Sequence, residues 1–150
     1  MAAHGAPANC PDCDCVGHPV RTITLKHMVK PEFLEVVTKA GFRFCRSQEC
    51  DVVYFHSNGE RLTKADIRVR IGLKEKEDPV PICYCFGFTA AMAREEIEFS
   101  GKCTIPERIA AEMKAERCAC EVRNPQGSCC FANVTSAVKE LLALRLRAIA

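Results

Sequence analysis

The stretch Phe42 to Phe55, "FRFCRSQECDVVYF", sets the architecture of the first half of the chain. "FRFC" and "DVVYF" are rich in aromatic and β-branched residues and read as two short strands, joined by a tight corner at Arg46-Ser47-Gln48-Glu49. Cys45 and Cys50 flank that corner. Downstream, Asn58-Gly59 is a turn signal that predicts a further strand in "ADIRVRIGL", residues 65–73, and so a small antiparallel sheet. Upstream, "PEFLEVVTKAG", residues 31–41, predicts one helix that stops at Gly41. A charged, Pro-containing link, "KEKEDPVP", places an internal boundary near residue 78, giving subdomains 1–78 and 79–150.

The second half reads as helical. Thr89 caps a helix running to about Phe99, and Thr104-Ile105-Pro106-Glu107 has capping-box spacing ahead of "RIAAEMKAER". The tail from Cys129 carries apolar residues at Val134, Val138, Leu141, Leu142 and Ile149, the pattern of an amphipathic helix covering a core. The fold class is therefore α+β, a small antiparallel sheet followed by a helical half.

Hydrophobic residues make up 48% and charged residues 27%, and 21 basic against 19 acidic side chains leave a net charge of +2, so nothing points to nucleic acid. The start "MAAHGAPANCPDCDC" lacks the basic and apolar regions of a secretory signal, and no apolar run suits membrane insertion. The expectation is a cytoplasmic protein. Its 12 cysteines then point to metal or redox chemistry rather than disulfides, because cytosolic thiols are kept reduced.

Those cysteines fall into two groups. In the first, Cys10 and Cys13 form a CxxC, and after 31 intervening residues Cys45 and Cys50 offer a second pair. Four thiolates complete a tetrahedron suited to structural zinc. Cys15 competes with Cys13 for this role, and His18 could replace a thiolate. In the second group Cys83-Tyr84-Cys85 is a CxC, and 34 residues separate Cys85 from Cys120 in "CACEVRNPQGSCC", Cys118 to Cys130. A CxC suits one iron of an inorganic cluster better than a lone zinc, and Pro125 and Gly127 bend the chain so that the amides of Gln126 to Cys130 can face bridging sulfides. Cys103 reads as core filler. His4, His18, His27 and His56 share no spacing that makes a site, and Met28, Met92 and Met113 are scattered core residues.

The CxC, the spacer and the closely spaced Cys pair before a helix resemble the 2Fe-2S domain of bacterioferritin-associated ferredoxins. More closely, "VPICYCFGFT", "NPQGSCC", "FRFCRSQECDVVYF" and "IRVRIGLKEK" resemble the N-terminal domain of CopZ-type copper chaperones, over roughly residues 10 to 140. The resemblance implies a 2Fe-2S cluster on Cys83, Cys85, Cys120 and either Cys129 or Cys130, and Zn2+ on Cys10, Cys13, Cys45 and Cys50. Of the adjacent pair, Cys130 is preferred because counting from it places Val134 and Ala137 on the buried helix face. It also implies copper handling, with one-electron reduction of Cu(II) to Cu(I), and copper ions or a copper-trafficking redox protein as partners. In that family a copper-binding domain with its own CxxC follows; this sequence reaches Ala150 without one. Cys15, Cys118 and Cys129 are further soft donors for Cu(I). An electron-transfer or metal-binding protein is expected rather than an enzyme, since no nucleophile-base pair is present. Non-redox metal storage, or electron donation to an unrelated partner, is the alternative.

Overall fold

The computed structural model describes residues 9–149, so His4 and the side chain of Ile149 lie outside the described residues. Four short strands form one antiparallel sheet in sequence order: β1 (His18–Pro19), β2 (Arg43–Phe44), β3 (Val52–Phe55) and β4 (Arg61–Thr63). β2 and β3 pair through Arg43 with Phe55 and Phe44 with Tyr54, on either side of the predicted corner. β3 is buried along its whole length because both sides are covered. Val53 and Tyr54 belong to the main core with Phe42, Phe44 and Leu62, while Val52 and Phe55 cluster with Cys10, Cys45 and Cys50. A register irregularity between Val52 and Tyr54 accompanies this split.

Two expectations for this lobe change. The Asn58-Gly59 turn, with Gly59 at φ +99°, leads into β4 and not into 65–73. There the Thr63 and Asp66 capping box starts a 3-10 turn, Lys64–Asp66, and Ile67 makes only an isolated bridge to Val29. Ile67 and Ile71 still enter the core, which explains the misleading alternation. Residues 31–41 form two 3-10 turns, Pro31–Phe33 and Val36–Thr38, because consecutive β-branched residues disfavour a helix and Val37 is non-helical. The helix of this lobe, α1 (Thr22–Met28), lies earlier.

In the second half, β5 (Pro81–Cys83) and β6 (Phe88–Thr89) make a hairpin, so this half is not wholly helical. Helices α2 (Ala90–Ser100), α3 (Ile105–Lys114), α4 (Cys120–Arg123) and α5 (Phe131–Ile149) follow. Thr89 caps α2 by accepting a hydrogen bond from the Met92 amide, and Gly101, at φ +81°, ends it. The capping box expected at Thr104 does not form; its amide and hydroxyl instead donate to the Glu96 carboxylate of α2. Ile82, Ala93, Ile105, Ile109, Val134 and Val138 fill a second core between the hairpin and α2, α3 and α5. Each such burial contributes about 1.5–3 kcal/mol for the larger side chains.

The halves meet through specific polar contacts. α4 lies against α1, where the Thr24 hydroxyl donates to the Glu121 carbonyl at 2.6 Å. The buried Tyr54 hydroxyl donates to the Pro125 carbonyl. The Tyr84 hydroxyl accepts from the Gly72 amide at 2.7 Å, and a Cβ on Gly72 would stand 1.9 Å from the Pro81 carbonyl oxygen. No helix among the described residues is long and apolar enough to cross a membrane.

Candidate metal centres

Cys10, Cys13, Cys45 and Cys50 come from two pieces of chain that the sheet holds face to face. The first is a tight knuckle: the Asp14 amide donates to the Cys10 carbonyl at 2.9 Å, the Cys10 amide donates to the Cys15 carbonyl at 2.8 Å, and Asp14 takes φ +64°. The second is the corner between β2 and β3. Their four Sγ atoms all lie within 4.8 Å of one another, with Cys10 to Cys50 at 3.8 Å and Cys13 to Cys45 at 3.6 Å. A zinc-sulfur bond of about 2.3 Å requires a tetrahedron edge of about 3.8 Å, so the four thiols already have the spacing of one tetrahedral ion. Amide N-H groups point at the sulfurs, from Cys15 to Cys13, from Ser47 to Cys45 and from Val52 to Cys50.

The electrostatics divide this set. Burial opposes ionisation of Cys13, yet the Cys15 amide and the thiols of Cys45, Cys15 and Cys10 outweigh it and hold Cys13 down at about 6. Burial pushes Cys45 up to about 12, and raises Cys50 as well. Of the two competitors named by the sequence, Cys15 is exposed and touches Cys13 without joining the four convergent thiols, and the exposed His18 meets Arg46 through Nε2 at 3.0 Å.

The second set does not converge. Cys83 and Cys85 lie on and just after β5, Cys120 opens α4, and Cys130 immediately precedes α5. Cys85 and Cys120 are 3.5 Å apart, and Cys130 favours the ionised forms of both Cys83 and Cys120. Among the described residues no three of these thiols converge within 4.8 Å. Cys130 is buried and Cys129 exposed. Amides again face sulfur: Ala119 donates to Cys85 at 3.2 Å, Phe86 and Cys85 donate to Cys83, and Cys130 donates to Cys120. Cys130 is the chief influence lowering Cys120 to about 5 and Cys83 to about 7, while burial drives Cys85 up to about 12. Cys130 itself is raised far above the ordinary thiol range.

The loop at Pro125 works differently from the expectation. The Gln126 and Gly127 amides do not face the thiols; they bond the Asn124 side-chain and main-chain oxygens at 2.9 and 2.8 Å. Asn124, fully buried, also donates to the Ser128 carbonyl at 2.8 Å and to the Cys120 thiol. Gly127, at φ +74°, passes so close to Thr24 that a Cβ would stand 2.8 Å from its hydroxyl. Cys118 is half-buried near Cys120 and Cys129, and Cys103 packs at the edge of the second core. Asn124, Tyr54 and Tyr84 escaped the sequence reading because their partners lie elsewhere in the chain or on the backbone.

Residues 7–68, which carry the convergent thiols, match the zinc binding domain family named for CopZ. That region is a CopZ-type zinc-binding domain. The chain belongs to the family of the CopZ N-terminal domain. It is 38% identical over 121 residues to the copper chaperone CopZ of Archaeoglobus fulgidus, covering 81% of this chain and 57% of that protein, so it spans little more than half of the relative's length. The X-ray structure of the N-terminal domain of the same CopZ superposes with a TM-score of 0.73 at 32% identity, covering 85% of this chain and 95% of that domain. The zinc-binding family match ends before Cys83.

Proposed function

We propose that the chain holds zinc on Cys10, Cys13, Cys45 and Cys50, holds a 2Fe-2S cluster on Cys83, Cys85, Cys120 and Cys130, and serves copper handling by one-electron reduction of Cu(II) to Cu(I). The observation that carries the reading is the contrast between four thiols spaced for one ion and a second set that does not converge, in which Cys85 lies 3.5 Å from Cys120 and accepts the Ala119 amide. A two-iron cluster held by these four thiolates would store and release a single electron. The chain's own part is to ionise Cys83 and Cys120, to satisfy sulfur charge with the amides of Cys85, Phe86, Ala119 and Cys130, and to hold the loop through Asn124.

Copper enters this reading as substrate. One electron reaches Cu(II), Cu(I) forms, and a one-electron donor protein of lower potential restores the electron. Copper ions and a copper-trafficking or redox protein are the partners, an assignment that rests on the similarity to a copper chaperone. The division at about residue 78 assigns one centre to each subdomain. Twelve free thiols suit the reducing cytoplasm. The test is to reduce the protein chemically, add Cu(II) under argon, and follow the visible spectrum, chelated Cu(I) and iron release together. Return of the oxidised spectrum with about one Cu(I) per reduced cluster supports the reading; a reduced spectrum that persists beside copper excludes copper reduction. Exposed Cys15 and Cys129 favour, as a second reading, non-redox storage of soft metal ions, for which the purified protein would be colourless.

A further inference from the structure

Lys74 lies in the charged link, yet its side chain is buried, with 3% of the residue exposed. Its ammonium donates to the Ser47 carbonyl at 2.6 Å and to the Cys50 carbonyl at 3.0 Å, spanning the corner that presents Cys45 and Cys50. Among the described residues no carboxylate oxygen lies within ion-pair distance of it, whereas Arg70 and Lys76 nearby both have glutamate partners. A buried cation without a counter-charge is costly, and carbonyl dipoles alone do not neutralise it. The missing negative charge is beside it: the ammonium is fixed on the backbone of the corner that presents Cys45 and Cys50, and four thiolates around a divalent ion carry a net charge of −2.

We infer that Lys74 is the built-in counter-cation of the four-thiol centre, a positioning residue that closes the Cys45–Cys50 corner and favours a dianionic tetrathiolate complex over less negative ones. The inference rests on the proposed zinc reading and adds the residue that sets the charge state the site accepts. The carbonyl contacts fix where the ammonium sits, and its charge, rather than the contacts alone, stabilises the loaded site.

The test uses the full chain with zinc, and then with iron as a redox-active probe of the same thiols. In Lys74→Gln a donor remains and the charge is lost; in Lys74→Arg the charge remains. Zinc affinity, measured by chelator competition, should fall roughly tenfold or more in Lys74→Gln and stay near the parent value in Lys74→Arg. With iron loaded into this centre in a Cys83→Ser background, one electron from an electrode converts the monoanionic ferric tetrathiolate to the dianionic ferrous one. The potential should become more negative in Lys74→Gln than in Lys74→Arg, because the more negative state loses its counter-cation. A purely structural role predicts no such ordering. Unchanged zinc affinity and potential in Lys74→Gln, or equal losses in both variants, would overturn the inference. A parent chain that binds no zinc would instead overturn the proposed zinc site. Should Lys74→Gln fold only in excess zinc, the rate of zinc release to a chelator decides: release as slow as the parent overturns the inference.

Discussion

The two thiol groups use the same residue type and the same N-H···S device, yet they are built in opposite ways. Cys10, Cys13, Cys45 and Cys50 sit on two short, rigid pieces of chain whose geometry is set by a knuckle and a strand corner, and they converge on one point. Cys83, Cys85, Cys120 and Cys130 come from a hairpin, a four-residue helix and a helix entrance, and no three of them converge on one point. Local turns suffice to build a tetrahedral site for one ion. The second group needs elements far apart in sequence to be held in register, which here falls to Tyr54, Thr24, Tyr84 and Asn124.

The largest effect should come from breaking one group at a time. Cys45→Ser removes a thiolate from the convergent site, and because zinc binding and folding are coupled, the first lobe should lose zinc and up to on the order of 10 kcal/mol of linked stability. Cys83→Ser should strip iron and leave about one zinc per chain, with the sheet intact. Metal analysis and circular dichroism check both. Loss of both metals from Cys83→Ser would mean that the two groups form one site.

A smaller effect should follow from cutting a link between the lobes. Tyr54→Phe removes the hydroxyl that donates to the buried Pro125 carbonyl, at a cost of about 1–3 kcal/mol in thermal or denaturant unfolding. Since Pro125 belongs to the loop before Cys130, this variant should release iron to a chelator faster than the parent while its zinc release is unchanged. Equal acceleration of both would erase the distinction between a locally built and a remotely supported site.

The first strand pair and the cap at Thr89 were legible because each depends on neighbours in sequence. α1 was not, since Arg21 at its start provides no side-chain cap and the helix spans only 7 residues. Ile67, Val69 and Ile71 alternate like a strand, but no partner strand is available beyond Thr63. Within the candidate sites, spacing identifies which thiols can approach one another. It says nothing of Lys74, whose place in a run of charged residues conceals a buried contact to the Cys45–Cys50 corner. Nor does it reveal that Asn124 occupies the Gln126 and Gly127 amides, two of those expected to face sulfur.

The smallest predicted effect is on reactivity without metal. Because Cys13 is held at about 6, below the ordinary 9.0, its thiolate fraction grows as pH rises through 6 and is lost below it. Cys15 is shifted upward, chiefly by its hydrogen bond to Cys13, and stays protonated at neutral pH. Iodoacetamide at pH 7 should therefore label Cys13 of the metal-free protein before the more exposed Cys15, as mass spectrometry of peptides would show. The reverse order would contradict the electrostatic picture of the knuckle.

The central claim is that one chain carries two centres of different nuclearity, and analysis of protein isolated without oxygen tests it most directly. The account predicts about one zinc, about two irons and about two inorganic sulfides per chain, with visible absorption from the cluster. A colourless protein containing zinc alone, with the second group of thiols either empty or filled by a second zinc, would contradict it.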